Sequence, residues 1–372
     1  MDMERELLLR YGLEANEMEQ ITSRLFKATC GSRSYALKKR TASIRDESLW
    51  QGLHNEAAIG TMRGVLPVYM TLDGFPSVSM NEDVYYLMPW IDASYPKPDQ
   101  LLKTIGHIHR KTKEPAMPKA EAWLGSVNTC KKNIGTLRNQ LLKHIEKCET
   151  RHYMSPFELS FCTQYMEADR VCAEHIKQLE QLSSLIEQGD WHTSVVHGRL
   201  SSEHFLNGTT PLFVNWENAR SGNATDDLHH FFRSELMKTE CFMRRDQYIA
   251  AYREYEAANE LSDLERCHLS ICLLDPMPYL NWVRRFDANP SAVSMLEAVE
   301  GLNAHFRVMM FGLNFVQEWQ SSNDDLSNPA QVEREEETSD EAKQENVERS
   351  GQEERTEHLE DEDRNDRTLN DT

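Results

Sequence analysis

Apolar and polar positions alternate in two early stretches, Ile21–Lys27 and Ser34–Lys39, joined by a turn at Cys30-Gly31-Ser32. Alternation is clearest in Tyr35-Ala36-Leu37-Lys38, where every second side chain shares a face if the segment is extended. The residues before them, 3–20, read as a short helix and a turn, with room for one further short strand near the start. From Ser48 to Met62 the spacing becomes helical, with Leu49, Leu53, Ala57 and Met62 apolar. Val68–Leu72 and Val84–Met88 follow as two more predicted strands. The order strand, strand, helix, strand, strand fits a small antiparallel sheet of four or five strands with one packed helix.

After Pro89-Trp90 the pattern turns mostly helical. Leu101, Leu102, Ile105 and Ile108 mark one helix within Leu101–His109. Ile134–Cys148 and Phe157–Gln188 are two long amphipathic runs divided at Met154-Ser155-Pro156, where Ser155 suits an N-cap and Pro156 a first turn. Val195–Val196 and Leu212–Trp216 read as short apolar strands, with a turn at Gly208-Thr209-Thr210-Pro211 between them. Asp227 to Gln320 reads as helix, broken at Asp275-Pro276 and Asn289-Pro290. No repeat of solenoid period is visible.

Composition changes the picture at the far end. From Ser321 onward apolar residues almost vanish, and the segment carries 19 acidic and 6 basic residues, a net of −13; of the chain's −20, residues 1–320 therefore hold −7. So little apolar surface cannot offset the entropy lost on ordering, and a disordered acidic tail is expected over 321–372. It reads as a solvated tail or as an arm for a basic partner, the former being the usual fate of such charge runs. An acidic chain lacks the basic face that nucleic acid requires. The eight cysteines form no CxxC pair and no zinc-site spacing, so they read as reduced core thiols of a cytosolic protein. Met1–Gly12 is charged and amphipathic, without the apolar core of a signal peptide. No apolar run approaches the roughly 20 residues that span a bilayer, so no membrane span is expected.

The candidate chemistry begins with Lys38, on the strand Tyr35-Ala36-Leu37-Lys38, and Glu56, on the helix that follows. From spacing alone they read equally as an ordinary strand lysine and a solvent-facing helix residue. No G-x-G-x-x-G stands between Arg24 and Ser34. The most informative segment is Val195-Val196-His197-Gly198-Arg199-Leu200-Ser201-Ser202-Glu203-His204-Phe205-Leu206. It resembles the catalytic loop H-G-D-x-x-x-x-N-x-L of the aminoglycoside and choline phosphotransferase family. His197, Gly198 and Leu206 match; Arg199 stands at the aspartate position and His204 at the asparagine position. Downstream, Leu212-Phe213-Val214-Asn215-Trp216-Glu217 resembles the family's metal-binding strand, with Asn215 at its aspartate position, and Asp227-Leu228 resembles the motif that opens the next helix.

The resemblance implies an α+β, two-lobed protein-kinase-like fold. Residues 1–89 would form the small antiparallel-sheet lobe and 90–320 the mostly helical lobe. It implies nucleotide contacts from Lys38, Glu56 and Met88, a loop-bracing role for His197, a structural role for Asp227, and ATP as the cofactor to expect, with weak or no magnesium. The departures imply lost catalysis. An arginine cannot accept a proton at any relevant pH, Asn215 offers magnesium no charge, and histidine prefers softer metals. Glu203 and Glu217 are the acids nearest the lost positions; on a continuous strand Glu217 would share a face with Asn215. With Tyr86-Leu87-Met88-Pro89-Trp90 and Ile105-Gly106-His107-Ile108-His109, these motifs are similar to the spore-coat kinase-like proteins of endospore-forming bacteria, the CotS group. That resemblance implies a non-catalytic binding component made in the mother-cell cytoplasm and delivered to the spore coat, with coat proteins as partners. The competing expectation is an unorthodox ATP-dependent phosphotransferase acting on a small hydroxylated molecule.

Overall fold

The computed structural model describes residues 2–40, 46–92, 94, 97–117, 120–187, 189–208, 210–238 and 245–327. Two units are distinguished along the chain, 1–313 and 314–372.

The first unit begins with helix α1 (Asp2–Leu9), followed by strands β1 (Glu17–Thr22), β2 (Leu25–Cys30) and β3 (Arg33–Lys39). Helix α2 (Glu47–Ala58) starts at Asp46, whose side chain accepts the Leu49 N–H. Strands β4 (Val78–Met80) and β5 (Asp83–Pro89) complete a five-stranded antiparallel sheet in the order β1-β2-β3-β5-β4. The predicted strand Ile21–Lys27 straddles the two-residue turn Ser23-Arg24 between β1 and β2. The β1–β2 connection thus contains no glycine at all. Val68–Leu72 is not a strand. Tyr69 donates one backbone hydrogen bond to Leu87, but Tyr69, Met70 and Leu72 are exposed, and β4 holds the sheet edge instead.

Alternation in β3 sorts the two faces of this sheet. Tyr35 and Leu37 join Tyr85 and Leu87 of β5 in the core that covers Leu7 and Leu8 of α1. Each of those two leucines is fully buried, worth about 1.5–3 kcal/mol apiece. Ala36 and Lys38 therefore face the other way, opposite their register partners Met88 and Tyr86. On that side Trp50 of α2 meets the Tyr86 ring edge-on at 5.6 Å.

Beyond Pro89 the helices α3 (Pro98–Lys111), α4 (Ala120–Glu149) and α5 (Pro156–Leu185) appear, with the short strand β6 (Glu114–Ala116) after α3. Ser155 caps α5 through a reciprocal bond with Glu158, and Pro156 opens the helix. Strand β7 (Trp191–Val196) leads into the loop that resembles a catalytic loop. A 3-10 turn at Ser202–His204 and the hairpin β8 (Phe205–Asn207) and β9 (Pro211–Phe213) follow. The predicted strand Leu212–Trp216 stops at Phe213: Asn215 takes a left-handed conformation, φ 69°, and Trp216–Asn218 form another 3-10 turn. Strand β10 (Arg220–Gly222) pairs with β7, which pairs with β6. Helices α6 (Ala224–Leu236), α7 (Arg245–Ala258), α8 (Asp263–Leu274), α9 (Met277–Ala288) and α10 (Met295–Ser327) complete the described chain, with the expected breaks at Asp275-Pro276 and Asn289-Pro290. Gly106 lets α3 lie against α7, because a Cβ there would sit 2.9 Å from Ala258 Cβ.

Helix α10 continues past the expected tail boundary at 321, and residues 328–372 lie outside the described residues. The seven cysteines among the described residues are free thiols, and no described helix is long and apolar enough to cross a membrane.

Candidate functional site

The inward-facing Lys38 carries its ammonium to two side chains from the far part of the chain. It donates to Glu217 Oε1 at 2.7 Å and, in a short contact, to Asn215 Oδ1. The buried Tyr86 hydroxyl donates to the same Glu217 Oε1, also at 2.7 Å. Lys38 and Tyr86 are direct register partners on β3 and β5, so one cross-strand pair grips one carboxylate oxygen. Burial alone would raise the Glu217 pKa, but the Lys38 charge and the bonds from Lys38 and Tyr86 outweigh it and hold the carboxyl below its usual value.

The left-handed turn at Asn215 makes this arrangement possible. Asparagine tolerates that conformation better than most residues. Asn215 and Glu217 meet Lys38 through this turn, not by sharing a strand face as alternation predicts.

Lys38 and Glu56, both named as candidate nucleotide contacts, are not brought together. Glu56 is exposed, with its carboxylate 3.8 Å from Lys111. Helix α2 buries Trp50, Leu53 and His54, and Glu56 lies about a third of a turn off that face. Met88 is buried on β5 opposite Ala36. Pro89 after it has no N–H, and the Trp90 N–H is already bonded to Ser34 O at 3.1 Å.

The loop after β7 is anchored by Asp227. This fully buried carboxylate accepts the backbone N–H of His197 at 2.6 Å and of Gly198 at 2.9 Å, and lies 3.3 Å from His109 Nε2. Burial opposes its charge, yet these bonds and the His109 contact keep its pKa below the ordinary aspartate value. Gly198 has φ 75°, and a Cβ there would fall 2.3 Å from Asn218 O, so only glycine fits. His197 is buried; its Nε2–H donates to Val214 O at 2.9 Å, while its Nδ1 accepts the Arg199 N–H at 3.3 Å. It braces the loop and has no free nitrogen for proton transfer.

Arg199 is exposed, and its guanidinium forms no ion pair among the described residues. His204 stacks on His197 at 5.3 Å and donates from Nδ1 to Arg199 O at 2.9 Å. Burial, with His197, Lys38 and Arg199 nearby, pushes its pKa down to about 4, so it is neutral at pH 7. Glu203 points away from this group: it is exposed and 3.8 Å from Lys238. Lys238 also bonds Glu235, which accepts both the N–H and the hydroxyl of Ser202.

Sequence reasoning missed Tyr86, His109 and Glu235. Tyr86 and His109 lie in motifs singled out for resemblance, but nothing in one chain marks which of their residues turn inward. Glu235 had no signal beyond a lone acid on an amphipathic helix.

The donor set does not fit magnesium. Asn215 Oδ1 is taken by Lys38, Glu217 Oε1 accepts from both Lys38 and Tyr86, and His204 offers a neutral nitrogen. Among the described residues no group of three His, Cys, Asp or Glu side chains is placed to hold a metal.

No protein-family model matches the chain, and no curated protein matches it. Among solved structures, an aminoglycoside phosphotransferase from Alicyclobacillus acidocaldarius subsp. acidocaldarius aligns with TM-score 0.58 and 15% identity, over 85% of this chain and 96% of that one. A spectinomycin phosphotransferase in complex with ADP and spectinomycin gives TM-score 0.48 and 13% identity, over 85% and 98% of the two chains. Choline kinase from Streptococcus pneumoniae gives 0.43 and 15%, over 84% and 100%. With its antiparallel-sheet beginning and mostly helical remainder, this chain has the kinase-like fold of the aminoglycoside phosphotransferases.

Proposed function

We propose that this protein uses a kinase-like fold to bind rather than to transfer phosphate, and that it serves as a binding component of the bacterial spore coat. The closure of Lys38 onto Asn215 and Glu217 carries the first half. The lysine expected to hold nucleotide phosphates is neutralised by a carboxylate that Tyr86 also fixes. Arg199, permanently cationic, stands where the resemblance calls for a proton acceptor. Phosphoryl transfer depends on positioning and on charge compensation by metal. Both are weakened where Glu217 is already engaged and the two metal positions, His204 and Asn215, are neutral.

The second half rests on the resemblance to the CotS group, and within it to the spore-coat protein YsxE. It makes other coat proteins the partners and the mother-cell cytoplasm the place of synthesis. Recovery of the protein in the coat fraction of purified spores, and not in the vegetative cytosol, is the expected result.

Catalysis is tested by incubating the purified chain with γ-labelled ATP, magnesium, and choline or aminoglycoside acceptors. No transfer above background is expected, and thermal stabilisation by ATP should be absent or indifferent to magnesium. The second reading, a phosphotransferase acting on a small hydroxylated molecule, is favoured by the similarity in fold to an aminoglycoside phosphotransferase. Enzyme-like turnover abolished by Glu217→Gln would establish it instead.

A further inference from the structure

A recess of about 300 Å³ lies between the C-terminal half of α4 and α9, and it shares no lining residue with the Lys38 site. Its apolar wall is made by Leu141, Leu280 and Val283, all buried. Three of its six polar lining side chains are cationic, Lys143, Lys147 and Arg284, with His144 between the lysines on α4. One carboxylate, Asp287, lines it, and that carboxylate is already engaged, 2.5 Å from Lys147 Nζ and 3.9 Å from His144 Nδ1.

Two cations are left over. Arg284 bonds only the neutral Gln140 side chain, and Lys143 has no ion pair among the described residues. His144 adds an unsatisfied group: its side chain is 10% exposed, its ring meets Phe161 edge-on at 4.7 Å, and its Nε2 is buried with no hydrogen-bond partner among the described residues. Lys143 and Arg284 are exposed and so stay charged in water at the rim of a buried apolar wall, in a part of the chain, 1–320, of net charge −7. An anion with an apolar body satisfies both features, and sites of this size commonly combine an apolar lining with a few orienting polar groups.

We propose that the α4–α9 recess binds a small amphiphilic carboxylate, with its chain on Leu141, Leu280 and Val283 and its carboxylate between Lys143 and Arg284. Binding here does not depend on the state of the Lys38 site.

Octanoate is the probe, with octanol and octylammonium as tail-matched neutral and cationic controls, titrated into the full chain by calorimetry and thermal shift. Octanoate should bind and raise Tm, octanol should bind at least about tenfold more weakly, and octylammonium should not bind. The double variant Lys143→Gln/Arg284→Gln should lose octanoate affinity about tenfold or more while melting like the parent. Val283→Trp, which fills the recess, should abolish octanoate binding. Equal affinity for octanoate and octanol, or an unchanged octanoate affinity in the double variant, would overturn the assignment.

Discussion

The Lys38 ammonium and the Glu217 carboxylate, 179 residues apart in the chain, meet at 2.7 Å. With side-chain exposures of 17% and 7%, the pair is shielded but not fully desolvated. Removing one partner leaves the other without its counter-charge. Glu217→Gln should destabilise the protein by about 1–3 kcal/mol, read as a lower denaturant midpoint at unchanged slope. The same change frees Lys38 for an incoming anion, so thermal stabilisation by metal-free ATP should rise relative to the parent. A Glu217→Gln protein as stable as the parent, with the same ATP response, would show that the pair holds neither the fold nor the lysine.

Three positions in the candidate site differ from the resembled pattern, and two of them, Arg199 and Asn215, lose a negative charge. Arg199, His204 and Asn215 replace two acids and an amide with a cation, a neutral ring and an amide. Restoring the pattern with Arg199→Asp, His204→Asn and Asn215→Asp supplies a carboxylate at 215 and an amide oxygen at 204 for a hard cation, and removes the positive charge at 199. The parent should show no magnesium-dependent shift in Tm, with or without ATP. The triple variant should gain one, growing with magnesium concentration as binding to the folded state requires. The Asn215→Asp change alone should also tighten the grip on Lys38, lowering the metal-free ATP response.

Both the strengths and the failures of the sequence reading trace to particular residues. Alternation at Tyr35-Ala36-Leu37-Lys38 marked the strand, and with Tyr35 and Leu37 in the core over α1 it puts Ala36 and Lys38 on the opposite face. Capping chemistry located the start of α5 at Ser155-Pro156. The three-residue strands β4, β6, β8 and β10 were not legible, since three residues carry no period. That Glu56 lies by Lys111 and away from Lys38 was not legible, because helical spacing defines a stripe, not which neighbour of the stripe reaches a distant lysine. Asn215 misled in another way: its left-handed turn ends the strand, and strand alternation no longer applies at Glu217.

Asp227 organises the loop in which Arg199 sits. It is fully buried, accepts the N–H groups of His197 and Gly198, and contacts His109, whose Nδ1 lies 3.0 Å from the Tyr255 hydroxyl. Asp227→Asn keeps the shape but turns an NH2 toward a donor. The expected cost is about 3–5 kcal/mol, as for a buried charge network broken on one side. A double-mutant cycle with His109→Phe should give a coupling above about 0.5 kcal/mol, whereas independent sites would add.

Acid should weaken the fold well before the carboxylates titrate. His54 is buried on α2, with its Nδ1–H bonded to Leu66 O at 3.0 Å and its ring against Trp50. Burial holds its pKa down to about 4, outweighing the Leu66 bond and the Glu217 charge, which both act to raise it. In the unfolded chain the ring titrates near pH 6.5. Between about pH 6.5 and 4 the unfolded chain takes up a proton that the folded one excludes, so stability is full above that window and falls as pH drops through it. One such ring accounts for roughly 3 kcal/mol at most across the window. His204 and His268, also held to about 4, add to the same decline. Glu217, held below its usual value, adds a later loss as pH falls through its folded pKa. Urea midpoints measured from pH 8 to pH 4 should be level to about pH 7 and then fall. His54→Gln should start lower at pH 8 and fall less steeply, and a parallel curve for that variant would remove His54 as a source of the acid sensitivity.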